Sequence, residues 1–187
     1  MLTFTLPKAL AALLAIALLT IPVGIAFADE GIPPTPAPTS DVEGPMSVNC
    51  DKMNSEGLKA AQQLGLCLST GDGMTPDYAE KVGNCGISWM SISNPASGEA
   101  QFDFGASSTL GPIAMVSWNV NWVNWSTSNT GAFAGFDFWA SSTWYQSRRT
   151  ITGAGLVTAS LTGEATLWNS ILCTIGPVTD SRYINWW

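Results

Sequence analysis

The sequence predicts a mainly β fold: an antiparallel, meander or sandwich-like sheet of about six strands, preceded by a small disulfide-linked helical region. From Cys85 onward, apolar and polar residues alternate with the period of a half-buried strand. Turn signals such as residues 94–98 and Thr162-Gly163 divide this stretch into short segments. Because the connections are short, we expect consecutive strands to be antiparallel neighbours, which makes a meander the default topology.

The start of the chain has the pattern of a secretory signal peptide, assigned to residues 1–28. An apolar stretch at residues 9–19 is followed by Ala26-Phe27-Ala28, which fits the small-x-small cleavage rule. We therefore predict a secreted protein. An uncleaved membrane anchor is the alternative, since residues 9–28 approach the ~20 residues that span a bilayer. The helix-breaking Pro22 favours cleavage.

A proline-rich stretch follows. Prolines at positions 33, 34, 36 and 38 exclude a helix or a central strand there. We assign residues 29–49 to an extended Pro-rich linker. The antiparallel β domain is predicted to occupy residues 85–187.

Between the linker and the β domain, residues 50–84 are predicted to form a small helical region. Asn54 or Ser55 can cap a first helix, and Gly65 can end it. A second short helix is predicted over residues 75–83, because a threonine cap is followed by proline at the first helical position.

Four cysteines predict two disulfides and an oxidising compartment. Three pairings are possible. We favour Cys50–Cys67, which brackets the first predicted helix, and Cys85–Cys173, which joins the first predicted strand to the last. No metal or other cofactor is expected, since the cysteine spacing lacks the C-x₂-C pair of structural zinc sites.

Charge and composition exclude several functional classes. The chain has a formal net charge of −7 and no basic stripe, which argues against nucleic acid as a partner. It contains no histidine, so the usual general base at neutral pH and the commonest metal ligand are both missing. We therefore predict that the protein is not an enzyme.

The sequence contains an internal repeat of eight residues. Residues 102–109 return as residues 136–143, and only Gly105 is replaced, by Trp139. The longest alternating run of the chain, residues 113–125, lies between the copies. Alternate residues of a strand share a face. A register in which both copies flank this run places the following residues together in the core: Phe102, Phe104, Trp118, Val120, Phe136 and Phe138.

The same register puts the polar residues of the repeat on the opposite face. Asp103 and Asp137 would lie beside Asn119 or Asn121, with Trp139 exposed next to them. A flat aromatic with planar polar groups suits a sugar. These five residues are therefore the predicted ligand-binding face. An ordinary solvated sheet face without a ligand explains the same pattern.

The first functional hypothesis is a secreted, non-catalytic β domain that binds a neutral polar ligand such as a glycan, or a cell-surface partner, or is purely structural. After processing, no integral membrane span is expected. Nine tryptophans and the low charge suggest an alternative, a membrane-active, bacteriocin-like factor. A second alternative is a small glycosidase that uses Asp103 and Asp137 as its carboxylate pair.

Overall fold

The computed structural model describes residues 42–67 and 83–187. They form one eight-stranded antiparallel sheet and one short helix, which confirms the predicted fold class with more strands than expected. The elements are β1 (Val42–Val48), α1 (Ser55–Gln63), β2 (Gly86–Ala96), β3 (Glu99–Ser108), β4 (Ile113–Asn124), β5 (Asn129–Ser141), β6 (Thr143–Ile151), β7 (Gly155–Leu167) and β8 (Leu172–Ile184).

The strand order is β5-β4-β7-β8-β1-β2-β3-β6, which departs from a meander. The strands β3 and β4, expected to pair, are separated by four others. The segment between them does not fold back as a hairpin. It crosses to the turn between β7 and β8, where the Trp168 backbone N–H donates to the carbonyl oxygen of Pro112. The predicted turn at Thr162-Gly163 instead lies inside β7, where the register with β8 shifts.

The two edge strands of the sheet, β5 and β6, are consecutive in the chain and are joined by Ser142 alone. One residue spans only about 3.5 Å. The sheet therefore curls until its edges approach each other. Side chains from distant strands meet inside the curl: the rings of Phe104 on β3 and Trp118 on β4 have centroids 5.0 Å apart. We call the line along which β5 and β6 face each other the seam.

The inner face of the curled sheet holds the apolar core. Phe102, Phe104, Trp118 and Val120 are buried there, as predicted. The Cys85–Cys173 disulfide lies in this core and joins the start of β2 to β8.

The sheet begins earlier than the sequence suggests. Residues 42–48, assigned to the linker, form β1, a central strand between β8 and β2. Pro45 is tolerated because β1 pairs with β8 only over Met46–Val48, so its missing N–H removes no bond to that neighbour. The signal peptide and the proline-rich residues lie outside the described ranges.

The predicted first helix is present as α1. Asn54 caps it, accepting a 2.8 Å hydrogen bond from the Gly57 N–H, and Gly65 follows with a φ of +68°. The Cys50–Cys67 disulfide brackets the helix. Within the described ranges, no helix is long and apolar enough to cross a membrane. The second predicted helix, over residues 75–83, lies almost entirely outside them.

Candidate functional site

The two copies of the repeated phrase have opposite orientations. In β3, Phe102 and Phe104 point into the core. In β5, Phe136 and Phe138 point outward and are 51% and 78% exposed, while Asp137 lies on the inner side. The prediction that both phenylalanine pairs are buried together is therefore wrong for the second copy.

A four-residue loop causes this inversion. Residues 125–128 connect β4 to β5, so that Asn124 pairs with Asn129 and even-numbered residues of β4 oppose odd-numbered residues of β5. Asn124 shapes the loop, because its Oδ1 accepts hydrogen bonds from the backbone N–H groups of Ser126 and Thr127, at 2.9 and 3.3 Å. Its Nδ2 lies 3.0–3.2 Å from the carbonyl oxygens of residues 152–154. One buried side chain thus sets the register of the edge strand.

Tryptophan–glycine pairs reinforce the observed register. Trp118 is directly opposite Gly135, and Trp122 is directly opposite Gly131. A Cβ atom at either glycine would collide with the facing indole. Glycine in β5 therefore makes room for two large rings of β4.

A further pair of this kind corrects the expected role of Gly105. This glycine is opposite Trp89, whose indole occupies the space where a Cβ would stand. The free space expected beside the Trp139 ring is therefore not provided by Gly105. The Trp139 ring packs instead against Tyr145, with centroids 6.3 Å apart, and its Nε1 donates to the carbonyl oxygen of Thr143 at 2.6 Å.

Asp137 of β5 links the two strands of the seam through hydrogen bonds. Its Oδ2 accepts hydrogen bonds from Trp118 Nε1 at 2.8 Å, Trp144 Nε1 at 3.1 Å and Gln146 Nε2 at 3.1 Å. Trp144 and Gln146 belong to β6, so these contacts bridge the two edge strands. The guanidinium carbon of Arg148 covers the Trp118 ring at 5.3 Å from its centroid. These interactions give Asp137 a structural role.

The five residues predicted to bind a ligand do not form one surface. Asn119 and Asn121 lie together on the outer side of β4. Asp137 and Trp139 are on the inner side of β5 and partly buried. Asp103 is on the outer side of β3, where Gln101 Nε2 donates to both of its carboxylate oxygens. The two carboxylates therefore lie on opposite faces of the sheet and do not share a space for a substrate.

The outer side of three neighbouring strands forms a continuous polar surface around the two asparagines. Cross-strand pairs place Thr162 opposite Asn119, and Ser160 opposite both Asn121 and Thr179. We call this surface the polar face. Its members are Ser117, Asn119 and Asn121 of β4, Thr158, Ser160 and Thr162 of β7, and Thr179 and Ser181 of β8.

The polar face is electrically neutral. Glu164, the nearest acid along β7, forms an ion pair with Lys52 at 2.6 Å. The members themselves carry amides and hydroxyls only. Asn119 Oδ1 is buried and has no hydrogen-bond partner among the described residues. Such a group costs about 1–3 kcal/mol when it stays unpaired, and a ligand hydroxyl would reach this enclosed oxygen only after the Asn119 amide turned outward.

Exposed aromatic rings border the polar face. Phe136, opposite Ser117, contacts Phe138 edge to face at 5.1 Å between centroids. At the other end of β4, Trp125 is 65% exposed and its Nε1 donates to Thr158 Oγ1 at 3.0 Å. Sequence reasoning placed Phe136 and Phe138 in the core, because it gave both copies of the repeat the same orientation.

Within the described ranges, no group of three or more His, Cys, Asp and Glu side chains could hold a metal ion. Comparisons with protein-family models, with curated proteins and with solved structures found no match to this chain.

Proposed function

We propose that the protein is a secreted, non-catalytic binding domain whose polar face takes a neutral polar ligand such as a glycan. The observation that carries this proposal is the uncharged strip of amides and hydroxyls on β4, β7 and β8, bordered by exposed aromatic rings. Two disulfides are compatible with the oxidising environment of an exported protein.

The chemistry of the face suits a sugar. Amide groups both donate and accept hydrogen bonds, as sugar hydroxyls do. Aromatic rings offer an apolar surface to the C–H side of a sugar ring. A neutral face neither repels an uncharged ligand nor attracts a charged competitor.

The dimensions favour a chain-like ligand. Ser117 of β4, opposite Phe136, and Trp125, the residue that follows β4, are eight positions apart, or roughly 26 Å at ~3.3 Å per extended residue. A monosaccharide cannot reach both aromatic borders. An extended oligosaccharide laid along β4 would contact both.

Isothermal titration against a panel of neutral oligosaccharides tests this proposal. Asn121→Ala and Phe136→Ala are each expected to weaken binding roughly tenfold, the loss expected for one hydrogen-bonded or stacking contact. Ile87→Ala is the matched control, since Ile87 is 43% exposed on another strand, β2. The proposal is contradicted if all three variants lose the same affinity, or if the protein binds no member of the panel. The protein would then be a structural module.

A further inference from the structure

The outer side of β1, β2, β3 and β6 carries a row of residues that is separate from the polar face. Cross-strand pairing places Glu43 of β1 opposite Trp89 of β2. Gly105 of β3 lies between Trp89 and Tyr145 of β6, opposite both. On β2 and β3 the residues on either side of these positions are buried, so the row faces outward. We call these four residues the outer row.

The Trp89 indole gives the outer row an aromatic surface. It extends from β2 over β3, since a Cβ atom at Gly105 would lie 2.6 Å from Trp89 Cζ2. Gly105 is buried beneath the ring, while Trp89 and Tyr145 both stay partly exposed. Tyr145 is the next residue of the row, on the side towards which the indole extends. The two aromatic side chains therefore cover the outer side from β2 to β6, two strand spacings or about 10 Å.

Two carboxylates border these rings. Glu43 is exposed at the β1 end of the row. Asp103 is two residues from Gly105 on the same side of β3, about 7 Å away along the strand. Gln101 Nε2 donates to both carboxylate oxygens of Asp103, at 3.0 and 2.8 Å. The amide fixes the direction of this carboxylate without balancing its charge.

The charge around the outer row is negative. Within two positions of its members on the described strands, the charged residues are Glu43 and Asp103, which give a local charge of −2. Among the described residues, neither acid forms an ion pair. The aromatic surface is therefore flanked by two carboxylates that no cation of the described chain compensates.

The nearest basic residues on the same and bordering strands are engaged elsewhere or lie further along. On β6, the Arg149 Nε donates to Gln101 Oε1 at 2.6 Å, and Arg148 covers the Trp118 ring on the inner side. On β8, which borders β1, the one basic residue is Arg182, seven positions beyond Ile175, where the pairing with β1 ends. A cationic ligand would therefore meet no basic side chain next to Trp89.

We propose that the outer row binds a small quaternary ammonium compound. The face of an indole attracts a cation placed within about 6 Å of the ring centroid, and quaternary ammonium groups are typical ligands of this kind. The protein holds one of its own cations in this way, because the Arg148 guanidinium carbon lies 5.3 Å from the centroid of the Trp118 ring. In the outer row, the carboxylates of Glu43 and Asp103 add Coulomb attraction to a cation above Trp89.

The surroundings of Trp89 select among related ligands. A lysine ammonium is strongly hydrated, and it loses more by leaving water than a quaternary ammonium group, which has no N–H groups. A phosphocholine group carries a phosphate next to its ammonium, and the two carboxylates repel that phosphate. A trimethylammonium group is about as wide as one strand spacing, so the two rings offer room for one. This site is independent of ligand binding at the polar face and adds a second ligand class to the proposed function.

Titration of the full chain with choline chloride at constant ionic strength tests the proposal, with backbone amide and indole N–H chemical shifts as the readout. We expect the Trp89 indole N–H to shift most among the nine tryptophans, and the amides of Asp103 and Tyr145 to shift with it. The matched ligand is the uncharged tert-butyl analogue of choline, which has the same shape and should cause no comparable shift. Phosphocholine should bind more weakly than choline.

Substitutions separate the contribution of the charges from that of the ring. Glu43→Gln and Asp103→Asn should each weaken choline binding about threefold, and Trp89→Ala about fivefold. Glu56→Gln is the matched control, since Glu56 is an exposed acid on α1 and its loss changes the net charge equally. The carboxylate variants keep the test valid if Trp89→Ala fails to fold, because they remove no packed ring.

The proposal is overturned if the tert-butyl analogue binds as tightly as choline, or if the double variant Glu43→Gln, Asp103→Asn binds choline as the unmodified protein does. It is also overturned if phosphocholine binds more tightly than choline, since the two carboxylates would then not govern the choice of ligand.

Discussion

The Trp118 indole N–H donates a 2.8 Å hydrogen bond to Asp137 Oδ2, and this contact ties β4 to the inner side of the edge strand β5. Trp144 and Gln146 add bonds from β6 to the same oxygen. Backbone pairing is replaced at the seam by side chains that converge on one carboxylate. This cluster stabilises the approach of the two edge strands that the single-residue connection at Ser142 brings about.

Asp137→Ala should lower the free energy of unfolding by about 3 kcal/mol, because two indole N–H groups lose their acceptor in a mostly buried setting. Asp137→Asn keeps an acceptor oxygen and should cost less. Urea denaturation measures both. Asp103→Ala is the control, since that carboxylate bonds only to Gln101 among the described residues. If the two alanine variants unfold at the same urea concentration, the seam does not rely on Asp137.

Equivalent residues of the repeat should respond differently to mutation. Phe102→Ala should cost ~3–5 kcal/mol, since Phe102 is fully buried. Phe136→Ala should change stability by less than about 0.5 kcal/mol, because its ring is half exposed on the edge strand. Thermal unfolding of both variants provides the comparison. A large loss of stability from Phe136→Ala would mean that the second copy faces the core after all.

Asn124→Ala should destabilise the fold by about 2–3 kcal/mol, because the loop N–H groups and the carbonyl oxygens of residues 152–154 lose their common partner. Asn121→Ala, on the exposed side of the same strand, is the control and should be near neutral.

Asn124-Trp125-Ser126 also fits the N-glycosylation pattern. Because Asn124 is buried, the folded protein should carry no glycan there. Intact mass after expression in a glycosylating host measures this, and a glycosylated, folded product would contradict the structure.

The two disulfides should differ in their contribution to stability. In the chain-entropy account, the 88-residue separation of Cys85 and Cys173 is worth about 4–5 kcal/mol, and the 17-residue separation of Cys50 and Cys67 about 3 kcal/mol. Paired Cys→Ala variants, unfolded in urea, give each value. A greater loss from the shorter loop would show that helix docking outweighs loop entropy.

Local signals were sufficient for some elements. The α1 helix was predicted from its cap at Asn54 and its stop at Gly65, and both disulfide pairs followed from the elements that they bracket. The core of β3 and β4 followed from strict alternation, which needs no knowledge of the partner strands.

Non-local features were not predictable in the same way. The orientation of β5 depends on whether the turn before it has an even or an odd number of residues. The Asn124 side chain holds the four-residue turn by accepting hydrogen bonds from two of its backbone N–H groups. The available signal for that register was a matching spacing: Gly131 and Gly135 are four residues apart in β5, as are Trp118 and Trp122 in β4. The strand order arises from a crossing segment at residues 109–112 that looks like an ordinary turn. The observed candidate site therefore differs from the predicted one. Asn119 and Asn121 lie together as predicted, but the exposed aromatic residue beside them is Phe136 and not Trp139.

Amide chemical-shift mapping during titration with a neutral oligosaccharide that binds tests the central claim most directly. The account predicts that the largest shifts fall on the polar face, at Asn119, Asn121 and Thr162, and that Asp103 and Asp137 remain unchanged. Shifts confined to Asp137 and its neighbours at the seam, with none on β4 and β7, would contradict the account.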